Sequence, residues 1–375
     1  MNKIDNPIRI ESIFFLRFLA VMLIVIHHLP ALLPRDPGDL PLFPVTFFFV
    51  LSGFLITLNY RPFTKRKNPL HFFWNRIASI YPLHLMMFFG CLALYYLRNR
   101  PINIPAAIAN IFLAQSYFSS REFYFSFNSV SWFLSSLFLC YLIFACIMYK
   151  PRTSFCIALG LSVSSLVCSI MYIEYNEHPT FSLIQWLLYV FPPNRLLNFL
   201  CGMGAAVLFL RLYTRLKSGI GLIFATLLEA VSLLVVYDAI FTKTILHFFV
   251  DSVLLAAPFL RETAFHFINN YLIGAFSAVL VVFIFGLENG LISKIFSMRC
   301  FVFFGEISFS IFIFHQLFFK FLRSWRHFFL DNYGELFIAF SVCILVIPLS
   351  FVIHRFMEIP LRRKLGKVAR KSAEG

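Results

Sequence analysis

The chain has 375 residues, of which 60% are hydrophobic and 13% are charged, and its mean hydropathy is +0.82. A soluble domain is nearer half apolar and a quarter charged, so this composition excludes a soluble globular protein and indicates a multi-pass membrane protein. The formal net charge of +15 comes mostly from short loops and the C-terminal tail. We interpret it as a determinant of topology and of contact with anionic lipid headgroups, not of nucleic-acid binding. The eight cysteines form no C-x-x-C pair, so we expect neither a disulfide nor a metal site.

The apolar runs predict an all-α bundle of about ten transmembrane helices. The predicted helices cover about 12–32, 43–60, 77–97, 130–149, 153–173, 194–213, 219–237, 264–287, 300–319 and 335–355. Ten spans place both termini and every Lys/Arg cluster on the same, cytoplasmic side, as the positive-inside rule requires. The first run is long enough to span and no small-residue cleavage site follows it, so we expect a retained helix and not a signal peptide.

Three further apolar stretches are too short or too polar to be counted as spans. We interpret 103–118 as an outer re-entrant or interfacial helix, and 181–192 and 241–260 as outer interfacial segments. An outer loop is expected at Pro34–Asp39, and a basic cytoplasmic tail from about residue 360. The whole chain, 1–375, is predicted to be a single transmembrane domain.

The first helix carries two ionisable positions that are costly inside a membrane. Arg17 and His28 are eleven residues apart, so a regular helix brings them to within roughly 20° of one face, about 16 Å apart along the axis. Ionisable groups at such depth mark functional sites by default. The alternative is an interfacial arginine and a histidine bonded to a nearby backbone group. His27 is expected to face a neighbouring helix.

Other polar residues in apolar surroundings are also candidates for function. Ser308 and His315 are seven residues apart and share a face of the ninth helix, where they could bind acceptor hydroxyls or simply bond locally. Ser52-Gly53 is expected to permit close helix packing. Glu358 is interpreted as a structural ion pair. His84, just beyond Pro82, is a secondary candidate.

Five separated stretches carry these polar residues in a fixed order. They are Arg17 with ten residues before His28, the phenylalanine-rich run Phe47–Ile56, the Arg-containing Asn75–Leu83, the Arg-Leu-x-x-Phe-x-x-Gly run within Arg195–Met203, and Phe304–His315, with Met357–Pro360 closing the set. Over residues 9–364 the set resembles the acyltransferase 3 family of integral membrane acyltransferases, many of which acylate sugars of surface polysaccharides.

The sequence departs from the family pattern at several positions. Ser79 replaces the second arginine of the basic motif, and Leu137 and Asn198 replace carboxylates of the fourth and sixth helices. Phe14 and Phe15 stand where the family often has Asp-Gly. Arg17, His28 and His315 match.

The resemblance implies transfer of an acyl group from acyl-CoA to a hydroxyl of a glycan or of a lipid-linked sugar. Acetyl is the acyl group that we expect. A neutral histidine can act as base or as nucleophile, so His28 is the catalytic candidate, together with Arg17, and both roles stay open. Because CoA is polyanionic, Arg17 and Arg76 are the candidates for binding it, unless Arg76 is only a topology anchor. His315, Ser308 and Arg195 are the candidates for binding the acceptor, although Arg195 could instead bind a buried partner.

Two other functions remain open from the sequence. A transporter or flippase of lipid-linked or acylated material would line its path with the same polar residues. A membrane sensor or scaffold that has lost catalysis would explain the missing carboxylates. We expect the protein in a bacterial plasma membrane, in contact with lipid and acyl-CoA, although the same pattern also suits other membranes.

Overall fold

The computed structural model describes residues 9–29, 32, 42–60, 68–176, 180–242, 244 and 268–365, and these contain helices and connecting turns but no strand. The predicted loop Pro34–Asp39, most of 241–260 and the tail beyond residue 365 lie outside the described residues. The α-helices are α1 Ser12–His28, α2 Leu42–Asn59, α3 Pro69–Leu97, α4 Ile104–Ile111, α5 Arg121–Tyr124, α6 Trp132–Tyr149, α7 Pro151–Tyr175, α8 Phe181–Gln185, α9 Pro192–Gly219, α10 Leu222–Tyr237, α11 Gly274–Leu287, α12 Leu291–Phe296, α13 Arg299–Glu306, α14 Ser308–Leu322 and α15 Arg326–Ile353.

Shorter helical turns complete these elements. Single 3₁₀ turns occupy Gln115–Tyr117, Ser129–Ser131 and Arg323–Trp325, and π-helical turns occupy Trp186–Val190, Asp238–Thr242, Ile268–Ile273 and His354–Glu358. The non-helical Gly334, with φ of 76°, divides α15 into two parts.

The chain is a multi-pass membrane protein. By length and composition, six of the described helical segments could cross a membrane, or seven if α13 and α14 form one broken span. Three shorter apolar helices, Ser12–His28, Phe43–Asn59 and Tyr271–Leu287, coincide with predicted spans. The count of ten spans and the cytoplasmic position of both termini stay predictions.

Three predicted boundaries differ from the structure. Helix α3 begins at Pro69 and not near Ile77, because Asn68 caps it by accepting a hydrogen bond from the backbone of Leu70 at 2.9 Å and proline suits the first turn. The predicted helix 300–319 is interrupted at Ile307, between α13 and α14. The stretch 181–192 is helical and continues, through a π-helical turn, into α9.

The described residues fall into two compact units that interleave along the chain. Unit 1 draws on 1–20, 41–65 and 152–306, and unit 2 on 21–40, 66–151 and 307–375. Helix α1 therefore contributes its first part to unit 1 and its last turns to unit 2. Because each unit combines three separated stretches, the division does not correspond to two consecutive domains.

In unit 1, helices α2 and α9 approach each other at two glycines. A Cβ atom at Gly53 would overlap the carbonyl oxygen of Phe199, and one at Gly202 would overlap that of Val50. Small residues let helix backbones approach closely in a membrane, so the predicted packing role of Gly53 is confirmed. Helix α11 packs against both helices.

A buried carboxylate on α10 caps the start of α12 in unit 1. Glu229 accepts hydrogen bonds from the backbone amides of Gly290, Ile292 and Ser293 at 3.0, 3.0 and 3.1 Å. These amides have no partner within their own helix, and a negative charge is favourable at a helix N-terminus. Glu229 is not among the candidate residues predicted from the sequence.

In unit 2, a polar network organises the segment between α3 and α6. Asn110 donates to the Ala106 carbonyl and to Ser126, and it accepts from Ser131 at 3.1 Å. His84 donates through Nε2 to the Asn110 carbonyl at 3.0 Å, and Tyr81 donates to that of Ile111 at 2.8 Å. Irregular backbone within a membrane requires such internal partners. That 103–118 is a re-entrant or interfacial segment stays a prediction.

The glycine contacts predict a position-specific effect on stability. Replacing Gly202 by alanine should lower the free energy of unfolding by about 2 kcal/mol, because the backbone carbonyl of Val50 cannot move aside without separating the helices. Replacing Gly204, whose added Cβ would meet nothing within 4 Å, is the matched control in the same helix. Unfolding of purified protein in detergent measures both variants. Equal stability of the two would contradict the packing role.

Candidate functional site

Two histidines from different helices of unit 2 form a direct hydrogen bond. His28 Nδ1 and His315 Nε2 lie 3.2 Å apart, and the ring centroids are 5.2 Å apart with the planes tilted by 38°. His28 is the last residue of α1, and His315 lies in the middle of α14. His315 is buried, whereas His28 is half-buried. The structure therefore brings together two of the residues that the sequence singled out.

Backbone carbonyls determine the tautomer of both rings. His28 Nδ1 lies 2.8 Å from the Ile24 carbonyl oxygen, and His315 Nδ1 lies 3.1 Å from that of Ile311. A carbonyl can only accept, so each Nδ1 carries the hydrogen. His315 Nε2 then has a free electron pair and accepts from His28 Nδ1. In the neutral pair, His28 Nε2 is therefore left with an unshared electron pair, which is the form required of a base.

Aromatic packing holds His315 in place. Its ring lies edge-on to Phe319 at a centroid distance of 5.7 Å and is tilted against Phe312 at 6.3 Å. The amide of Asn128 donates to the Ile313 carbonyl at 2.8 Å, which ties α14 to the segment before α6. His27 packs edge-on against His28, with centroids 5.1 Å apart.

The other polar positions of α14 have separate surroundings. Ser310 donates to Glu358 at 2.6 Å, and Glu358 also pairs with His354 at 2.8 Å and with Arg362 at 4.0 Å. The prediction that Glu358 forms a structural ion pair is confirmed. Its hydrogen bond with Ser310 also connects α14 to the π-helical turn at His354–Glu358. Ser308 is the first residue of α14 and is buried.

Arg76 lies inside helix α3, at its eighth residue, and not at an inner helix end as predicted. Its guanidinium carbon is 5.8 Å from the ring centroid of Phe72. The earlier start of α3 causes this difference. The role of Arg76 in binding CoA stays a prediction.

Arg17 belongs to unit 1, where its guanidinium carbon lies 5.7 Å from the ring centroid of Phe14. It shares the uninterrupted helix α1 with His28, as predicted. That the two side chains serve one substrate cavity stays a prediction.

Arg195 is fully buried in unit 1. It donates to the Tyr189 carbonyl at 2.6 Å and to Thr46 and Asn198 at 3.2 Å each. The rings of Tyr189 and Tyr271 lie 4.8 and 5.6 Å from its guanidinium carbon. At position 198, where the family has a carboxylate, the amide oxygen of Asn198 accepts the hydrogen bond from Arg195. A substrate role for Arg195 stays a prediction.

The contact between His28 and His315 is the feature that sequence reasoning missed. The two residues are 287 positions apart, and each was assigned a different role. Spacing within one helix predicts a face, but not which face of a distant helix meets it. Among the described residues, no group of three or more His, Cys, Asp and Glu could hold a metal ion.

Comparison with known proteins gives a family and one curated relative. The acyltransferase domain model Acyl_transf_3 matches residues 10–355. The chain is 28% identical over 204 residues to "Acyltransferase MdmB" of Streptomyces mycarofaciens, a match that covers 50% of each protein. No solved structure matches the chain significantly. Because the family model covers nearly the whole chain, including every stretch from Arg17 to His315, the protein belongs to the acyltransferase 3 family.

Proposed function

We propose that this protein is a membrane-bound O-acyltransferase. The donor is acyl-CoA, with acetyl-CoA as the first to test, and the acceptor is a hydroxyl of a glycan, of another carbohydrate-containing molecule or of a lipid-linked sugar. The observation that carries the proposal is the His28–His315 pair, which leaves His28 Nε2 with a free electron pair. Membership of the acyltransferase family and the acyltransferase relative support the reaction class.

The proposed step uses His28 as a general base. His28 Nε2 takes the proton of the acceptor hydroxyl while the hydroxyl oxygen attacks the thioester carbonyl carbon. The new C–O bond forms, the C–S bond breaks, and the resulting imidazolium returns its proton to the CoA sulfur. General acid–base assistance of this kind contributes about 10²–10⁴-fold to a rate.

The groups around His28 suit the charge that develops in this step. When Nε2 gains a proton, the ring becomes an imidazolium, and the charge is stabilised at Nδ1–H by the Ile24 carbonyl and by His315 Nε2. The orienting carboxylate of a serine protease triad does the same for its histidine. His315 is thus a positioning residue for His28 in this proposal. A covalent acyl-histidine intermediate is the alternative use of the same nitrogen.

The remaining candidates are assigned to binding. Arg17 and Arg76 are proposed to bind the CoA phosphates, for which guanidinium groups are well suited. Ser308 and Arg195 are proposed to contribute to acceptor binding, together with His315. We propose the bacterial plasma membrane as the location, with the acceptor reaching the site from the outer side.

Replacing His28 by alanine should reduce acyl transfer by about 10²–10⁴-fold, because the base is removed. The assay is transfer from labelled acetyl-CoA in membranes, followed by analysis of glycan and lipid-linked acceptors. His27→Ala, at the adjacent position of α1, is the matched control and should keep transfer. Unchanged transfer by His28→Ala would refute the catalytic assignment, and absence of any acyl-CoA turnover by pure wild-type protein would favour a transporter.

Variants of His315 should separate positioning from packing. His315→Leu removes one of the two acceptors of His28 Nδ1–H and leaves the Ile24 carbonyl, and we expect kcat to fall by about 10- to 100-fold, as for loss of a hydrogen bond to a charged group. His315→Gln retains a carbonyl oxygen as acceptor and should recover part of that loss at similar KM. Equal kcat values for the two variants would show that the ring only fills space.

A further inference from the structure

Unit 2 contains a small apolar cavity that the proposed chemistry does not use. Its volume is about 80 Å³, and its walls are Leu32, Leu322, Phe337, Ile338, Val342 and Leu345, together with Ser341, whose polar atoms do not reach the cavity surface. Val342 and Ile338 are buried one turn apart on α15, whereas Phe337 at the rim is half exposed. Such walls offer no partner for phosphates or sugar hydroxyls, so any occupant must be a hydrocarbon group.

The cavity lies on the same face of α14 as the histidine pair. Leu322 follows His315 by seven residues, which places the two within roughly 20° on the helix and about 10 Å apart along its axis. Side chains on a helix lean toward its N-terminus, so Leu322 leans back toward His315. Leu32, which also lines the cavity, follows His28 by four residues, and its amide donates to the Leu29 carbonyl at 2.7 Å. Both members of the pair are therefore followed in the chain by a wall residue of the cavity.

The surface between the pair and the cavity is apolar. Phe319 lies one turn beyond His315 and about one turn before Leu322, is buried, and contacts the His315 ring edge-on. A hydrocarbon chain with its carbonyl carbon at His28 would pass this ring on its way to Leu322. In the proposed reaction, the part of the donor that extends beyond the thioester carbonyl is the acyl chain.

We propose that this cavity binds the acyl chain of the donor, and that the enzyme uses aliphatic chains of octanoyl to dodecanoyl length in preference to acetyl. The inference rests on the proposed acyl transfer and specifies its donor. The cavity has room for about three groups of the size of a water molecule or a methylene. Each buried methylene contributes about fourfold to kcat/KM, so three methylenes in the cavity give a preference of about 60-fold for decanoyl over acetyl.

The test is the kcat/KM of purified wild-type protein and cavity variants with acetyl-, octanoyl-, decanoyl- and dodecanoyl-CoA. Val342→Phe fills the cavity from α15 and Leu322→Phe fills it from α14, so the test still works if one of the two variants does not fold. Each should lower the decanoyl-to-acetyl ratio by tenfold or more and leave the acetyl rate near that of wild type. Ile344→Phe, at an exposed position of α15 two residues from Val342, is the matched control and should leave the ratio unchanged.

Four other outcomes would overturn the proposal in distinguishable ways. If wild type transfers acetyl but not longer chains, or if filling the cavity leaves the ratio unchanged, the cavity does not select the acyl chain while the proposed function stands. If filling lowers all rates equally, the cavity serves a membrane lipid or the packing of α15. If no acyl-CoA is turned over by wild type, the proposed function fails and the inference fails with it.

Discussion

The site depends on one shared proton between two imidazole rings. Two helix carbonyls each require a hydrogen on an Nδ1 atom, so the bond between His28 and His315 can run in only one direction. The free electron pair is therefore on His28 Nε2, and no carboxylate is needed to orient the ring. The arrangement uses backbone groups that are present in every helix, and the sequence therefore needs to specify only two histidines and the packing that brings them together.

Two buried charged groups of unit 1 follow the same rule, since each is satisfied by neutral partners from the backbone or from hydroxyl, amide and aromatic side chains. Glu229 accepts three backbone amides at the start of α12, and Arg195 donates to a carbonyl, a hydroxyl and an amide oxygen beneath two tyrosine rings. In an apolar medium the alternative for each group is an unsatisfied charge, which costs far more than the bonds contribute in water. These contacts fix the positions of α9, α10 and α12 within unit 1.

Much of the fold could be predicted from the sequence, because apolar length and flanking charge are strong signals for helices in membranes. Each predicted span coincides with a described helix, with the ninth divided at Ile307. The start of α3 was placed too late, since His71, Asn75 and Arg76 lower the hydropathy of its first turns while the Asn68 cap still begins the helix at Pro69. Arg17, His28 and His315 could be predicted as candidates because each is an ionisable group within an apolar run, although Glu229, in the apolar run of α10, was not among them. The pairing of His28 with His315 could not be predicted, because no periodicity within α1 or α14 encodes which faces meet.

The glycine contacts between α2 and α9 have a consequence for the evolution of the family. At both positions the atom that excludes a larger residue is a backbone carbonyl oxygen, at Phe199 opposite Gly53 and at Val50 opposite Gly202. A clash with a side chain can be relieved by shrinking that side chain, but every amino acid has the same carbonyl. No compensating substitution across the interface therefore exists. Homologous sequences should hold both glycines fixed, and methods that infer contacts from correlated substitutions should find no signal at the closest approach of these two helices.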